Sequence, residues 1–316
     1  MTASEAPPHC RPCSGLPAVR EASRPRPLVP VTTGEEPADF REWLGPHAAA
    51  AGSIRRRQGW LVMCGACLLT GCGGLASLPP AAAVPKPPPS IPVAECRFAS
   101  GPILIDGTLD EAAWGQAAVI DDFRMPWEPG GPPARAATRA RLLWDADNLY
   151  VAADMDDGDL YADVTEHDGN TWDNDVFEVF LKPAADAPPY YEFHVTPANT
   201  RFDVFLPRRG HVGRFKKTDV FGIESAVAVR GTLDAWADRD TGWTVEMRIP
   251  WADLARTGGR PEAGAEWRFA LCRYDFDVAA ESPELSTAAP LSRKNFHAHE
   301  DYARLRFVGP EGGGEP

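Results

Sequence analysis

The run Trp243-Thr244-Val245-Glu246-Met247-Arg248-Ile249 alternates apolar and polar side chains without a break. A period of two suits a strand with one face on a core and the other toward solvent. A helix, repeating about every 3.6 residues, would scatter the same apolar groups around its axis. From Ile103 onward, short runs rich in β-branched and aromatic residues recur between Gly, Pro, Asp and Asn breakers, which predicts an all-β chain. Strands are expected at 140–144, 149–154, 175–182, 191–196, 203–206, 224–230, 243–249, 267–275 and 303–308. That number suits a two-sheet antiparallel β-sandwich of jelly-roll type. Helical signals are confined to single turns at 109–114 and 251–254. Trp114, Trp144, Trp243 and Trp267 fall at positions expected to face inward.

The segment 176–181 departs from simple alternation, being apolar on both faces apart from Glu178, so it reads as a central strand. A carboxylate there is costly without a partner or an open cleft. Immediately before it lies Trp172-Asp173-Asn174-Asp175, a ring beside fixed polar groups. Sugars stack C–H groups on aromatic faces and need hydrogen-bond partners for their hydroxyls, so Trp172, Asp175 and Glu178 suit one chemically. An acidic turn before a core strand accounts for the same residues.

The first ninety-odd residues read as targeting and linker. Arg55-Arg56-Arg57 precedes an apolar run from Gly59 to Leu69, shorter than the roughly 20 residues a membrane-spanning helix needs. Leu69-Thr70-Gly71-Cys72 resembles the bacterial lipobox, which makes Cys72 the expected site of lipidation. Residues 55–72 then form a lipoprotein signal peptide. Residues 1–54 are either a disordered extension or the product of a start site assigned too early. Residues 73–95, rich in proline, form a tether favouring polyproline II. Residues 96–310 are the expected domain and 311–316 a tail. This layout implies a monomeric protein held to the membrane by a lipid anchor in the bacterial envelope, on the periplasmic or outer-membrane face.

The net charge of −13 disfavours nucleic acid, whose phosphates an acidic surface repels; neutral sugars and calcium remain compatible with it. The pairs Cys10-x-x-Cys13 and Cys64-x-x-Cys67 lie far apart, the second inside the apolar run, and do not read as a zinc site. Cys96 and Cys272 could pair in an oxidising compartment.

The motifs in order resemble the family 9 carbohydrate-binding modules and their wider relatives among DOMON-like β-sandwiches. Ile105-Asp106-Gly107-Thr108-Leu109-Asp110-Glu111-Ala112-Ala113-Trp114 is similar to the family's opening signature, and Leu143 to Val151 to its second element. Trp172 to Phe180 resembles the central one; Gly242 to Trp251, then Trp267-Arg268 and Arg273, continue the series. The resemblance covers 103–308. It implies a sandwich that clamps a terminal sugar between two aromatic rings, helped by polar side chains and stabilised by calcium. Trp172 matches one ring and Glu178 a sugar-contacting carboxylate. The second ring comes from just before the last strand, where Asn295-Phe296-His297 puts Phe296 in place of a tryptophan. His194 stands where an arginine is expected. The implied site is therefore Trp172, Asp175, Glu178, His194, Asn295 and Phe296, binding an oligosaccharide or polysaccharide. The chain alone is not expected to be an enzyme, although such modules are often joined to glycoside hydrolases and assist carbohydrate breakdown.

Other roles are open to the same residues. Asp154, Asp156 and Asp157 are spaced so that their oxygens could converge on calcium, though a solvated acidic turn explains them equally. Glu178 with Glu192 or Asp175 could be drawn as a hydrolase pair. Haem binding would need Met155 or Met247 with His194. A scaffold that has lost ligand binding is a further alternative.

Overall fold

A computed structural model describes residues 91–126, 131–210 and 212–310. The signal segment, Cys72 and most of the Pro-rich tether lie outside these residues. Among the described residues no helix is long and apolar enough to cross a membrane.

The strands are β1 (Val93–Phe98), β2 (Thr138–Trp144), β3 (Asn148–Met155), β4 (Val176–Lys182), β5 (Tyr190–Val195), β6 (Arg201–Leu206), β7 (Glu224–Arg230), β8 (Gly242–Pro250), β9 (Glu266–Asp275), β10 (Glu284–Thr287) and β11 (Ala303–Val308), with one short helix α1 (Val212–Phe215). They form one hydrogen-bonded sheet in the order β6-β5-β4-β9-β11-β1-β2-β3-β8-β7, with β10 added to β9. Neighbours are antiparallel except where β1 runs parallel to both β11 and β2. The sheet curls so that its two halves face each other as a sandwich.

Every expected strand is present, with ends shifted by at most two residues. Two strands go beyond the expectation. β1 alternates Ala94, Cys96 and Phe98 with Glu95 and Arg97, and begins three residues inside the stretch read as tether. β10 has only four residues, too few to display a period. The turn expected at 251–254 opens the 3-10 turn Trp251–Thr257, whereas the one expected at 109–114 is displaced to a 3-10 turn at Trp114–Gln116.

The main core lies between the halves. Phe177, Val179 and Leu181 of β4 meet Leu149 and Val151 of β3 and Val245 and Met247 of β8. Trp144 and Trp243 are fully buried there. A second apolar layer covers the outer face of the β4–β5–β6–β9 half, and a third covers β2 and β3. Those outer layers correct two expectations. Cys96 belongs to the main core and Cys272 to the second layer, so both are buried free thiols on opposite faces of the sheet. Met155 and Met247 likewise sit in the main core, on the face of the sheet away from His194, and cannot close with it on one iron.

The third layer also removes β8 from solvent. Glu246, on the face its alternation would leave wet, is fully buried. Its Oε2 accepts the backbone N–H of Gly107 (2.8 Å) and of Asp106 (3.1 Å), while Oε1 accepts Trp114 Nε1–H (2.8 Å). Gly107 is suited to this docking: its φ is +89°, and a Cβ would lie 2.8 Å from the Val227 carbonyl carbon. Burial raises the carboxyl's affinity for a proton, while the three donors oppose that shift. Glu246→Ala is expected to cost roughly 3 kcal/mol, because buried donors lose their only acceptor. Glu246→Gln should cost less, since it keeps one acceptor oxygen; urea unfolding midpoints of the two variants check this.

Candidate functional site

Pairing register assembles the polar groups of the outer face. Glu178 of β4 lies opposite His194 of β5 and Cys272 of β9, and His194 lies opposite Phe202 of β6. One pleat further, Phe180 faces Glu192. Because side chains alternate, Glu178, Glu192 and His194 emerge on the same side. His194 Nε2 is 2.8 Å from Glu192 Oε1 and 3.5 Å from Glu178 Oε1. Its Nδ1 pairs with Thr171 Oγ1 at 2.8 Å.

This is a closed cluster. Glu178 is 2% exposed and His194 1%. Burial pushes the Glu178 carboxyl up to about 7, with His194 opposing and Glu192 reinforcing the shift. Burial also works against charge on Glu192 and His194, but His297 and His194 prevail at Glu192, and Glu178 and Glu192 prevail at His194. The Glu192 carboxyl is held below its ordinary value and the His194 imidazole above its own. An imidazole wedged between two carboxyl groups at these distances leaves no room for a scissile bond between acid and nucleophile, unlike the hydrolase pair.

Thr171 opens the 3-10 turn Thr171–Asp173 that carries Trp172, so the buried cluster holds this turn from below. The turn's other end is pinned by Asn174, which accepts Val164 N–H and donates to Asp163. Trp172 is half-buried, edge-on to Phe202 (ring centroids 5.6 Å) and His194 (6.3 Å). The Lys216 ammonium stands 5.5 Å from its ring centroid and donates to Asn170 Oδ1.

The remaining expected site residues separate from this group or turn inward. Phe296 is 6% exposed, packed edge-on against Tyr274 within the outer layer, where a ring before the last strand fills space rather than offering a free face. Asn295 uses its Oδ1 to accept His297 N–H in a local turn. Asp175 faces away from the sugar cluster, and its two oxygens accept the N–H groups of Tyr161 and Phe276, each at 2.6 Å. Thr171 and Lys216 carried no signal of their own in the sequence, whereas Glu192 stands two residues from His194 and shares its face by period alone.

The aspartates expected to hold calcium are divided. Asp154 and Asp156 pair with Arg139, and Asp154 also with Arg230, so guanidinium groups take the place of a cation. Asp157 instead converges with Asp175 and Asp275. The buried Arg273 guanidinium sits among them, 3.1 Å from Asp157 and 2.7 Å from Asp275. Burial raises all three carboxyls, Asp157 to about 7, reinforced by Asp275 at Asp157, by Asp157 and Asp275 at Asp175, and by Glu284 and Asp277 at Asp275. His167, Asp168 and Asp203 form another convergent set, with an imidazole donor that suits a softer cation than calcium.

Protonation of Glu178 yields a prediction of definite sign. Its folded value near 7 exceeds the ordinary 4.5, so its stabilisation is complete below about pH 4.5 and lost as pH rises through 7. The loss is on the order of 3 kcal/mol. Thermal unfolding at pH 5 and pH 8 should show a smaller pH decrement in Glu178→Gln than in the parent; equal decrements would refute the assignment.

Four matches to known proteins bear on this chain. A family model described as "Carbohydrate family 9 binding domain-like" matches residues 105–306. Exoglucanase XynX of Acetivibrio thermocellus is 27% identical over 159 residues, 50% of this chain and 12% of that protein. Endo-1,4-beta-xylanase A of Thermotoga neapolitana is 32% identical over 92 residues, 29% of this chain and 8% of that protein. The chain thus spans a small fraction of the curated relatives it matches. Among solved structures, a Bacteroides uniformis protein proposed to bind carbohydrate is similar in fold, with TM-score 0.54 and 13% identity over 69% of this chain and 100% of that one.

Proposed function

We propose, for a chain that belongs to the Carbohydrate family 9 binding domain-like family, that it binds oligosaccharide on the face of Trp172. The observation that carries this reading is the half-exposed Trp172 ring, fixed edge-on by Phe202 and His194 at the rim of the outer layer. An indole so held offers a sugar a rigid apolar face at little entropic cost. Glu178, Glu192 and His194 act beneath it by holding Thr171, and Phe296 supports the layer. Lys216 and Asn170 beside the ring supply polar partners for hydroxyls. The curated relatives are named as glycan-degrading enzymes, which supports a role in carbohydrate catabolism.

The sequence upstream supports anchoring of this domain through acylated Cys72, with the Pro-rich stretch as spacer and a single copy as the working unit. For a divalent cation the proposal narrows to Asp157, Asp175 and Asp275, the set whose oxygens converge. Arg273 already offsets much of their charge.

Calorimetric titration with cello- and xylo-oligosaccharides tests the platform. Trp172→Ala should weaken binding roughly five- to thirtyfold, as loss of a stacked ring removes about 1–2 kcal/mol; undiminished binding would end this assignment. Lys216→Ala, which removes one hydroxyl partner and keeps the ring, should weaken binding less than Trp172→Ala does. For the anchor, Cys72→Ser should move the protein from the membrane to the soluble fraction on cell lysis.

A further inference from the structure

Beyond the Trp172 platform, the same outer face carries a second polar feature. Lys182 ends β4 four residues after Glu178 and on the same face, about 13 Å along the strand. It is 2% exposed, yet forms no ion pair among the described residues. Its ammonium donates to the Ala187 carbonyl in the β4–β5 turn, which leaves two N–H groups to be used. Burial disfavours its charge and Arg209 adds repulsion, with Asp186 of the same turn opposing both, so an anion from outside would complete its setting.

A cleft of about 480 Å³ opens beside it, lined also by Arg208, Arg209, His299, Asp186 and Pro188. Arg208 is exposed and forms no ion pair among the described residues. Arg209 is shared with Glu300, which also receives Arg293. Asp186 is the one carboxylate in the lining, against the basic groups of Lys182, Arg208 and Arg209. Crowding by that charge is visible at His299: burial first, then Arg209 and Lys182, bring its imidazole down to about 4. At neutral pH the ring is therefore uncharged. Such a concentration of cations is notable in a chain of net charge −13. Ala185, Ala187 and Pro188 give the cleft an apolar wall as well, and its volume exceeds that of a bare inorganic ion.

We propose that the Lys182–Arg208–Arg209 cleft is a second ligand site, taking an oxyanion carried on a sugar: the carboxylate of a uronic acid or a sulfate ester. Only the sugar carrier rests on the function proposed above; the anion site stands on the buried ammonium and the cleft.

The test is titration of the full chain with glucuronate, glucose 6-sulfate, glucose and inorganic sulfate, read by calorimetry and by backbone amide shifts at 182, 184–187 and 208–209. Glucuronate or glucose 6-sulfate should shift these amides, glucose should not, and whichever acid binds tighter identifies the anion. Arg208→Ala, on the surface and safe for folding, should weaken binding at least fivefold, and Lys182→Met should abolish it. Trp172→Ala should leave it unchanged. Silence of these amides to both acidic sugars, equal response to glucose, a response to inorganic sulfate alone, or parental affinity in Arg208→Ala would each overturn the proposal. A chain that binds neutral oligosaccharide while the cleft stays silent loses this inference and keeps the Trp172 platform.

Discussion

Arg273 lies on the inner side of β9, opposite Phe177 of β4, with its guanidinium buried between the halves of the sandwich. A full charge there must be compensated from every direction, and the compensation organises the molecule. Asp275 lies two residues along the same strand, Asp157 comes from the loop after β3, and the carbonyl of Asp156 accepts at 2.7 Å. The same guanidinium reaches Thr138 at the start of β2. One side chain thereby ties β9 to the opposite half. The carboxylates gathered around it include Asp175, whose oxygens clamp Tyr161 and Phe276 at the entrance to β4. Removing the charge would leave acids facing one another without a cation.

That clamp fixes the position of β4. All seven of its residues are buried, Phe177, Val179 and Leu181 toward the main core and Glu178, Phe180 and Lys182 toward the outer layer. A strand covered on both sides must find partners for each polar group it carries. Glu178 finds His194 and Glu192, and through His194 the cluster reaches the turn bearing Trp172. Lys182 donates to a backbone carbonyl and has Asp186 as its one opposing charge in the cleft. The difference between these two charged residues on one face separates a platform held from within from a cleft that is left positive.

Much of the fold was legible because strands advertise themselves by period. The alternation in 243–249 and the two-faced apolar run at 176–181 marked a strand with one face on the core and a strand covered on both, and both strands form at those positions. β10 was not legible, since four residues show no period. β1 carried its alternation but was masked by the prolines before it. The site was legible in part. Trp172, Glu178 and His194 come together because register is dictated by the core-facing residues between them. Phe296 and Asp175 do not join as partners for a sugar, since one fills an outer layer and the other caps loop amides.

The amino-acid pattern alone was enough to establish an all-β chain, the order of its motifs and the face each strand residue would take, because those depend on short-range periodicity. It could not say which faces would be covered. Glu246 reads as a solvent-facing residue and is buried under the opening segment; Asp154 and Asp156 read as cation ligands and pair with arginines from β2 and β7. These outcomes depend on which distant segments pack together, and so does the gathering of Lys182, Arg208 and Arg209 around one cleft. Charge partners separated by tens of residues become neighbours only when the sheet curls, which is why the chemistry of this surface had to wait for the tertiary structure.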